Sequence, residues 1–142
     1  MLRNIDPILS PDLLYALSAM GHGDEIVLAD ANFPAEALGP KCIRADGSDA
    51  SSVLRAVLSV LPLDSFVDAP AISMEVVGEP DAIPDAVHDF QSIIDAHADH
   101  PKDIQSLERF AFYERAAKAF AVVQTGERRL YGNLILKKGV IE

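Results

Sequence analysis

The chain has 142 residues, of which 49% are hydrophobic, and its 22 acidic and 12 basic residues give a formal net charge of −10. This length suits one domain with a real core, so we expect a single domain over residues 1–142. The acidic balance excludes nucleic acid and anionic membrane surfaces as expected partners, because few cations are available to neutralise phosphates. No uninterrupted apolar run reaches the roughly 18 residues that cross a bilayer, so a cytoplasmic protein is expected. The apolar content also predicts a homo-oligomer that buries apolar surface between subunits.

The first predicted elements are a helix and a short buried strand. Ser10-Pro11-Asp12 has the residue types of a helix start, with a cap, a proline in the first turn and an acidic residue near the positive end. Gly21 is expected to end this helix. Residues 26–29 form a short apolar run that is typical of a buried strand, and a short helical turn is predicted over residues 34–38.

The middle of the chain predicts a second strand, a helix and a third strand. Residues 42–45 form the strand, and Ser48 or Asp49 can cap the helix that follows, which Pro62 stops. Residues 63–70 are expected to form a loop, and residues 71–77 a strand.

The last part adds two helices and the final strands. Helices are predicted over residues 84–98 and from Arg109 onwards, with residues 104–107 forming either a strand or an extended link. Residues 119–124 and 133–136 are the last predicted strands, close enough in sequence for one to run antiparallel. Alternating helices and strands indicate an α/β fold, which we expect to be a three-layer α/β/α domain with a mixed, mostly parallel sheet.

Two residues around the first strand are candidates for chemistry. His22 lies between Gly21 and Gly23, which permit a tight turn, and an imidazole can give or take a proton near neutral pH. Asp30 ends the strand, at the edge where ligands usually bind in open α/β sheets. The alternative is that His22 is an exposed loop residue and Asp30 a solvated strand end.

Several classes of site lack support in the sequence. Neither G-x-G-x-x-G nor G-x-x-x-x-G-K-[ST] is present, and no serine lies in a G-x-S-x-G turn. His97 and His100 have nearby aspartates, but Pro101 and the dense acidic character indicate a solvated helix end rather than a metal site. We therefore expect no metal and no cofactor.

A set of polar residues remains that fits a neutral polyol ligand through hydrogen bonds. Taken singly, the members outside the first strand could be a surface arginine, a core aromatic or a turn between strands. The set consists of His22, Asp30, Arg109, Tyr113, Tyr131 and Asn133.

Several motifs stand in order along nearly the whole chain. They are Ile8-Leu9-Ser10-Pro11, Met20-Gly21-His22-Gly23-Asp24-Glu25-Ile26, Asp30-Ala31-Asn32-Phe33-Pro34, Ile43-Arg44-Ala45-Asp46-Gly47, Arg109-Phe110-Ala111-Phe112-Tyr113-Glu114-Arg115-Ala116, Thr125-Gly126-Glu127-Arg128 and Tyr131-Gly132-Asn133-Leu134-Ile135-Leu136-Lys137-Lys138-Gly139. Together they resemble the L-fucose mutarotase family, whose sister branch is the D-ribose pyranase family. The ribose branch usually has Thr where Gly23 stands and a histidine in the late segment where this chain has Arg109, so both positions favour fucose.

The resemblance implies exchange between the α and β anomers of a monosaccharide, L-fucose or a close relative, without a cofactor. It implies a cytoplasmic homo-oligomer, often a ring-built decamer, with sugar sites between neighbouring subunits. His22 is the implied acid/base, and Asp30 is expected to bind a ring hydroxyl, with orientation of the imidazole as a second role. The remaining implied sugar-binding or lining positions are Arg109, Tyr131, Gly132, Asn133, Asp64, Met74 and Tyr113.

The spacing of His22 and Asp30 raises a geometric question. At about 3.3 Å per extended residue, they could lie up to roughly 26 Å apart. Either the segment curls before Ile26, or a second subunit supplies one side of the pocket. The apolar composition favours the second subunit.

Two alternative functions remain open from the sequence, a D-ribose pyranase and a non-catalytic sugar-binding module.

Overall fold

A computed structural model describes residues 1–142 and consists of ten regular elements. In chain order these are α1 (Pro11–Ala19), β1 (Glu25–Ala29), β2 (Lys41–Ala45), α2 (Ala50–Leu58), β3 (Ala71–Met74), α3 (Asp85–His97), β4 (Gln105–Leu107), α4 (Arg109–Ala116), β5 (Ala121–Thr125) and β6 (Leu134–Lys137). None of the four helices is both long and apolar enough to span a bilayer.

The six strands form one mixed sheet in the order β2-β5-β1-β6-β3-β4. Five strands run parallel to one another, and β6 is antiparallel to both of its neighbours, β1 and β3. The predicted mixed, mostly parallel sheet is therefore confirmed. The last two strands of the chain are not neighbours, because β1 lies between β5 and β6.

The sheet separates two apolar layers, as a three-layer fold requires. On β1, Ile26 and Leu28 face α1, α2 and α3, whereas Val27 and Ala29 face α4 and the segment around Phe33. All four of these strand side chains are fully buried. The predicted α/β/α arrangement is confirmed.

Side-chain caps begin two helices where the sequence predicts them. The Ser10 hydroxyl accepts a hydrogen bond from Leu13 N at 3.2 Å, and the Asp49 carboxylate accepts one from Ser52 N at 2.7 Å. Each cap satisfies a backbone donor that the first helical turn leaves unpaired. The helix α1 ends at Ala19 with Met20 as its C-cap, so Gly21 follows the cap directly, where the sequence predicts the end of the helix.

Two predicted elements differ from the structure. Residues 34–38 form turns and no helix. The strand β3 ends at Met74 rather than at Val77, because Val76 pairs with Glu79 around Gly78, whose φ of 80° turns the chain away from the sheet. This turn leaves the Val77 side chain 60% exposed beside the end of β3.

The Phe112→Ala substitution tests the contact that fixes α4 to the sheet. Phe112 is fully buried and packs edge-on against Phe33, with 6.1 Å between ring centroids. Its removal is expected to lower the free energy of unfolding by about 3–5 kcal/mol, measured by urea denaturation. The matched control is Phe110→Ala on the same helix, where the side chain is 70% exposed. Equal losses in the two variants would contradict this description of the packing.

Candidate functional site

A cavity of about 350 Å³ lies at the edge of the sheet where β1 and β3 end and β6 begins. Because β6 is antiparallel to β1 and β3, its first residues lie at the same edge of the sheet as the last residues of these two strands. Six of the predicted site residues line this cavity, namely Asp30, Met74, Arg109, Tyr113, Tyr131 and Asn133. Gly132 lies between two of them in the chain. We call this cavity the Asp30 pocket.

Asp30 and Asn133 form the buried floor of the Asp30 pocket. The Asp30 amide donates to Asn133 Oδ1 at 2.8 Å, and Asn133 Nδ2 donates to Asp30 Oδ2 at 3.1 Å. Burial raises the pKa of Asp30 against the opposing effect of hydrogen bonds from the Asn32 backbone, the Asn133 amide and the Gly132 backbone. The Asp30 carboxylate is thus a fixed hydrogen-bond acceptor beside the cavity.

The segment before β6 has a constrained backbone at Tyr131 and Gly132. Tyr131 has a φ of 57°, which is unfavourable for a residue with a Cβ and is typical of functional sites. Its hydroxyl accepts a hydrogen bond from Val77 N at 3.2 Å. A Cβ on Gly132 would lie 2.7 Å from Glu127 Cγ, so this position requires glycine. These contacts fix the Tyr131 ring beside the cavity.

A partly buried ion-pair network around the buried Glu127 carboxylate supports this segment. Arg129 binds Glu127 through its backbone amide at 2.9 Å and through its guanidinium at 2.8 and 3.0 Å, and it reaches Ser51 at 2.8 Å. Glu127 also accepts from Ala50 N at 3.3 Å at the start of α2. The hydrogen bonds from Arg129 lower the pKa of Glu127 in spite of its burial.

Sequence reasoning did not assign a role to Glu127 or Arg129. Glu127 is 3% exposed, so a carboxylate that reads as a loop residue is in fact buried. The available signal was an acidic residue followed two positions later by arginine, four and two positions before Tyr131. Their contacts with Ser51 and Asp89 depend on the packing of α2 and α3, which local sequence does not reveal.

Arg109 presents an uncommitted guanidinium to the Asp30 pocket. Its Cζ lies 5.5 Å from the Phe110 ring centroid and 5.7 Å from that of Tyr113. It takes part in none of the eight salt bridges of the chain. Its N–H groups are therefore available to a ligand in the cavity.

His22 lies at the opposite edge of the sheet and pairs with Asp64. His22 Nε2 is 3.2 Å from Asp64 Oδ1. The backbone hydrogen bonds from Gly23 N to Lys138 O (2.9 Å) and from Asp64 N to Lys137 O (3.0 Å) attach both segments to the end of β6. Gly23 has a φ of 87°, so the tight turn uses the glycine after His22. We call these two side chains the His22–Asp64 pair.

The Asp64 carboxylate is buried but ionised. It is 4% exposed, and this burial opposes its ionisation. The hydrogen bonds from Phe66 N and from His22 outweigh that effect, so the pKa of Asp64 is lowered. A carboxylate that orients an imidazole and stabilises its cationic form is a common arrangement in general acid–base sites.

The strand β1 separates the His22–Asp64 pair from the Asp30 pocket. Its five residues span roughly 16 Å and pair with β6 from Glu25 to Leu28. The turn before Ile26 is bonded to Lys138 at the far end of β6, so it does not bring His22 to Asp30 within one chain. Within one chain, the carboxylate that contacts the imidazole is that of Asp64 and not that of Asp30.

The arrangement holds no group of three or more His, Cys, Asp or Glu residues placed to bind a metal ion. Acceptor, amide, guanidinium and hydroxyl groups line the Asp30 pocket among apolar side chains. This combination suits an uncharged ligand with several hydroxyl groups.

Comparison with known proteins identifies the group to which this chain is related. The RbsD / FucU transport protein family matches residues 3–141. The chain belongs to this family.

The proteins similar to this chain include fucose mutarotases. The fucose mutarotases of Mus musculus and Homo sapiens are each 52% identical to the chain, over 99% of it and over 95% and 94% of their own lengths. The crystal structure of the fucose mutarotase from Streptococcus pneumoniae in complex with L-fucose matches with a TM-score of 0.92 and 48% identity. That match covers 99% of this chain and 100% of the other.

The Arg129→Met substitution tests the network behind the Tyr131 segment. It leaves the buried Glu127 carboxylate without its main partner, which is expected to lower the free energy of unfolding at pH 7 by about 1–3 kcal/mol. Because the native pKa of Glu127 is lowered from 4.5, its stabilising effect is present above that value and is lost as the pH falls through the native pKa.

The measurement is urea denaturation of the wild type and the variant between pH 7 and pH 3. The wild type should lose stability over the acid range more steeply than the variant. Arg44→Met is the control, since Arg44 pairs with Asp46 on the surface, where both side chains are more than half exposed. An Arg129→Met profile parallel to that of the wild type would contradict the assigned role of the ion pair.

Proposed function

We propose that this protein is an L-fucose mutarotase, an isomerase that exchanges the α and β anomers of L-fucose by ring opening and reclosure. The observation that carries the proposal is the Asp30 pocket, in a chain whose full-length relatives include fucose mutarotases. The whole chain, residues 1–142, then acts as one sugar mutarotase domain. By the family resemblance, we place it in the cytoplasm.

The reaction requires one proton to move between two oxygens of the sugar. A base removes the proton of the anomeric hydroxyl while the bond between the anomeric carbon and the ring oxygen breaks, and the ring oxygen takes up a proton. Rotation of the resulting aldehyde and closure on the other face complete the exchange. A well-placed side chain accelerates such proton transfers by roughly 10²–10⁴-fold.

His22 is the residue we assign to this proton transfer. Its Nε2 is occupied by Asp64, whereas its Nδ1 has no hydrogen-bond partner within the chain. The Nδ1 atom can take the proton from the anomeric hydroxyl and return it to the ring oxygen. The ionised Asp64 carboxylate stabilises the imidazolium formed between these two steps.

The residues of the Asp30 pocket are assigned to sugar binding. Asp30 accepts from a ring hydroxyl, and Arg109 donates to hydroxyl oxygens. Tyr131 and Asn133 bind further hydroxyls, Gly132 permits the close approach of the backbone, and Tyr113 lines the site together with Met74. Binding energy from these groups holds the anomeric carbon at the imidazole.

A second copy of the chain must bring the two parts of the site together. The His22–Asp64 pair and the Asp30 pocket lie at opposite edges of one sheet, so a contact between them in two copies joins unlike surfaces. Such head-to-tail contacts close into rings when the rotation between copies permits. The exposed apolar side chains of Val77 and Leu130, which line the Asp30 pocket, support this contact. We propose a ring-built homo-oligomer, a decamer by the family resemblance.

Exchange of anomers can be measured directly by NMR. Saturation of the α-anomer signal of L-fucose should be transferred to the β-anomer in the presence of the protein. His22→Ala should reduce the catalysed exchange to the uncatalysed rate while sugar binding stays detectable by calorimetry, and His97→Ala is the matched control. Exchange of D-ribose ring forms without fucose exchange would support a pyranase instead. Binding without exchange would support a sugar-binding module.

Mixed oligomers test whether the site is shared between copies. His22→Ala and Arg109→Ala are each expected to be inactive. Refolding them together at equal amounts places an intact His22–Asp64 pair against an intact Asp30 pocket at about a quarter of the contacts, if copies assemble at random in the ring. About a quarter of the wild-type rate should return. No recovery would show that each site belongs to a single chain.

A further inference from the structure

The loop between α2 and β3 holds an aromatic side chain in solvent on a fixed backbone. Phe66 is 69% exposed. Its amide donates to Asp64 Oδ1 at 3.1 Å, and the Lys102 ammonium donates to the carbonyls on both sides of it, those of Ser65 (2.8 Å) and Val67. Single apolar side chains are common on surfaces, so exposure alone does not mark Phe66 as functional. Its position beside the proposed catalytic residue is the observation that does so.

Phe66 lies beside the imidazole that we assign to proton transfer. The ring centroids of Phe66 and His22 are 5.7 Å apart, with an angle of 55° between the rings. Asp64 Oδ1 contacts both His22 Nε2 and Phe66 N, so one carboxylate oxygen sets the position of the two residues together. A ligand held at His22 is therefore within reach of an apolar aromatic surface.

The chemistry of a 6-deoxy sugar defines which group would meet this surface. The ring oxygen, where the returning proton is received, is bonded to carbon 5, and carbon 5 bears the methyl group. When the ring oxygen is at His22, the methyl group lies on the His22 side of the sugar. The Asp30 pocket then binds the hydroxyls on the opposite side.

We propose that Phe66 is a specificity-determining residue that recognises the methyl group of L-fucose. The inference rests on the proposed mutarotase function. Contact with the ring removes methyl surface from water, whereas a hydroxymethyl group at this place leaves a hydroxyl without a hydrogen-bond partner. The polar residues of the Asp30 pocket do not provide this discrimination, because a methyl sugar and a hydroxymethyl sugar of the same ring configuration have the same ring hydroxyls.

Three sugars with the same ring configuration form the test set. L-fucose carries the methyl group, L-galactose a hydroxymethyl group, and D-arabinose only hydrogen at that carbon. The catalytic efficiency, kcat/KM, is measured for each by anomer exchange with the wild type and with Phe66→Ala and Phe66→Tyr. Tyr15→Ala is the matched control, since Tyr15 is an aromatic residue on α1 with a similar exposure of 68%.

Phe66→Ala should lower kcat/KM for L-fucose by about tenfold or more, the effect of losing one well-packed apolar contact, and change that for D-arabinose by less than about twofold. Phe66→Tyr keeps the ring and should retain the preference for L-fucose. The Tyr15→Ala variant should match the wild type with all three sugars.

Three results distinguish failure of the inference from failure of the proposed function. Unchanged kcat/KM in Phe66→Ala overturns the inference. Equal losses for L-fucose and D-arabinose, with or without dissociation of the oligomer in gel filtration, also overturn it, because a merely structural role affects all sugars alike. A wild-type protein that exchanges none of the three sugars overturns the proposed function itself.

Discussion

The antiparallel pairing of β1 with β6 determines where every candidate residue of the site lies. At one end of this ladder, Asn133 meets Asp30, and at the other end Lys138 meets the turn that carries His22. The ladder is buried on both faces, so its length and direction are fixed by the core. The two ends of one strand pair thus become two chemically different surfaces.

The buried polar groups of the Asp30 pocket are stable because each has partners. Asp30 is 6% exposed and Asn133 4%, and no buried side-chain nitrogen or oxygen of the chain lacks a hydrogen bond. Burial nevertheless raises the pKa of Asp30, and Tyr131 adopts an unfavourable backbone conformation. The Glu127–Arg129 ion pair and its contacts with α2 and α3 hold the segment in this conformation. The ion pair outside the ligand site thus offsets the backbone strain at Tyr131.

Local patterns in the sequence were sufficient for most of the fold. The caps at Ser10 and Asp49 and the apolar run of β1 depend on neighbouring residues alone, and the structure confirms them. Strand order was not accessible in this way, since the insertion of β1 between β5 and β6 depends on contacts far apart in the chain. The partner of His22 was missed for the same reason, because Asp64 lies 42 residues away. The sequence located Asp30 because ligands usually bind at the strand ends of open α/β sheets. Its pairing with Asn133 was not predicted, because the two residues are 103 positions apart.

The fixed length of β1 limits how proteins with this architecture can diverge. Adding one residue to the strand would turn its later side chains to the opposite layer and exchange the contents of the two cores. Adding one to β6 would have the same effect on its neighbours. Insertions are therefore expected outside this ladder and away from the site contacts, in exposed segments such as residues 77–83. Evolution can adapt such a scaffold to other sugars by reshaping these loops, while the spacing between its two edges stays constant.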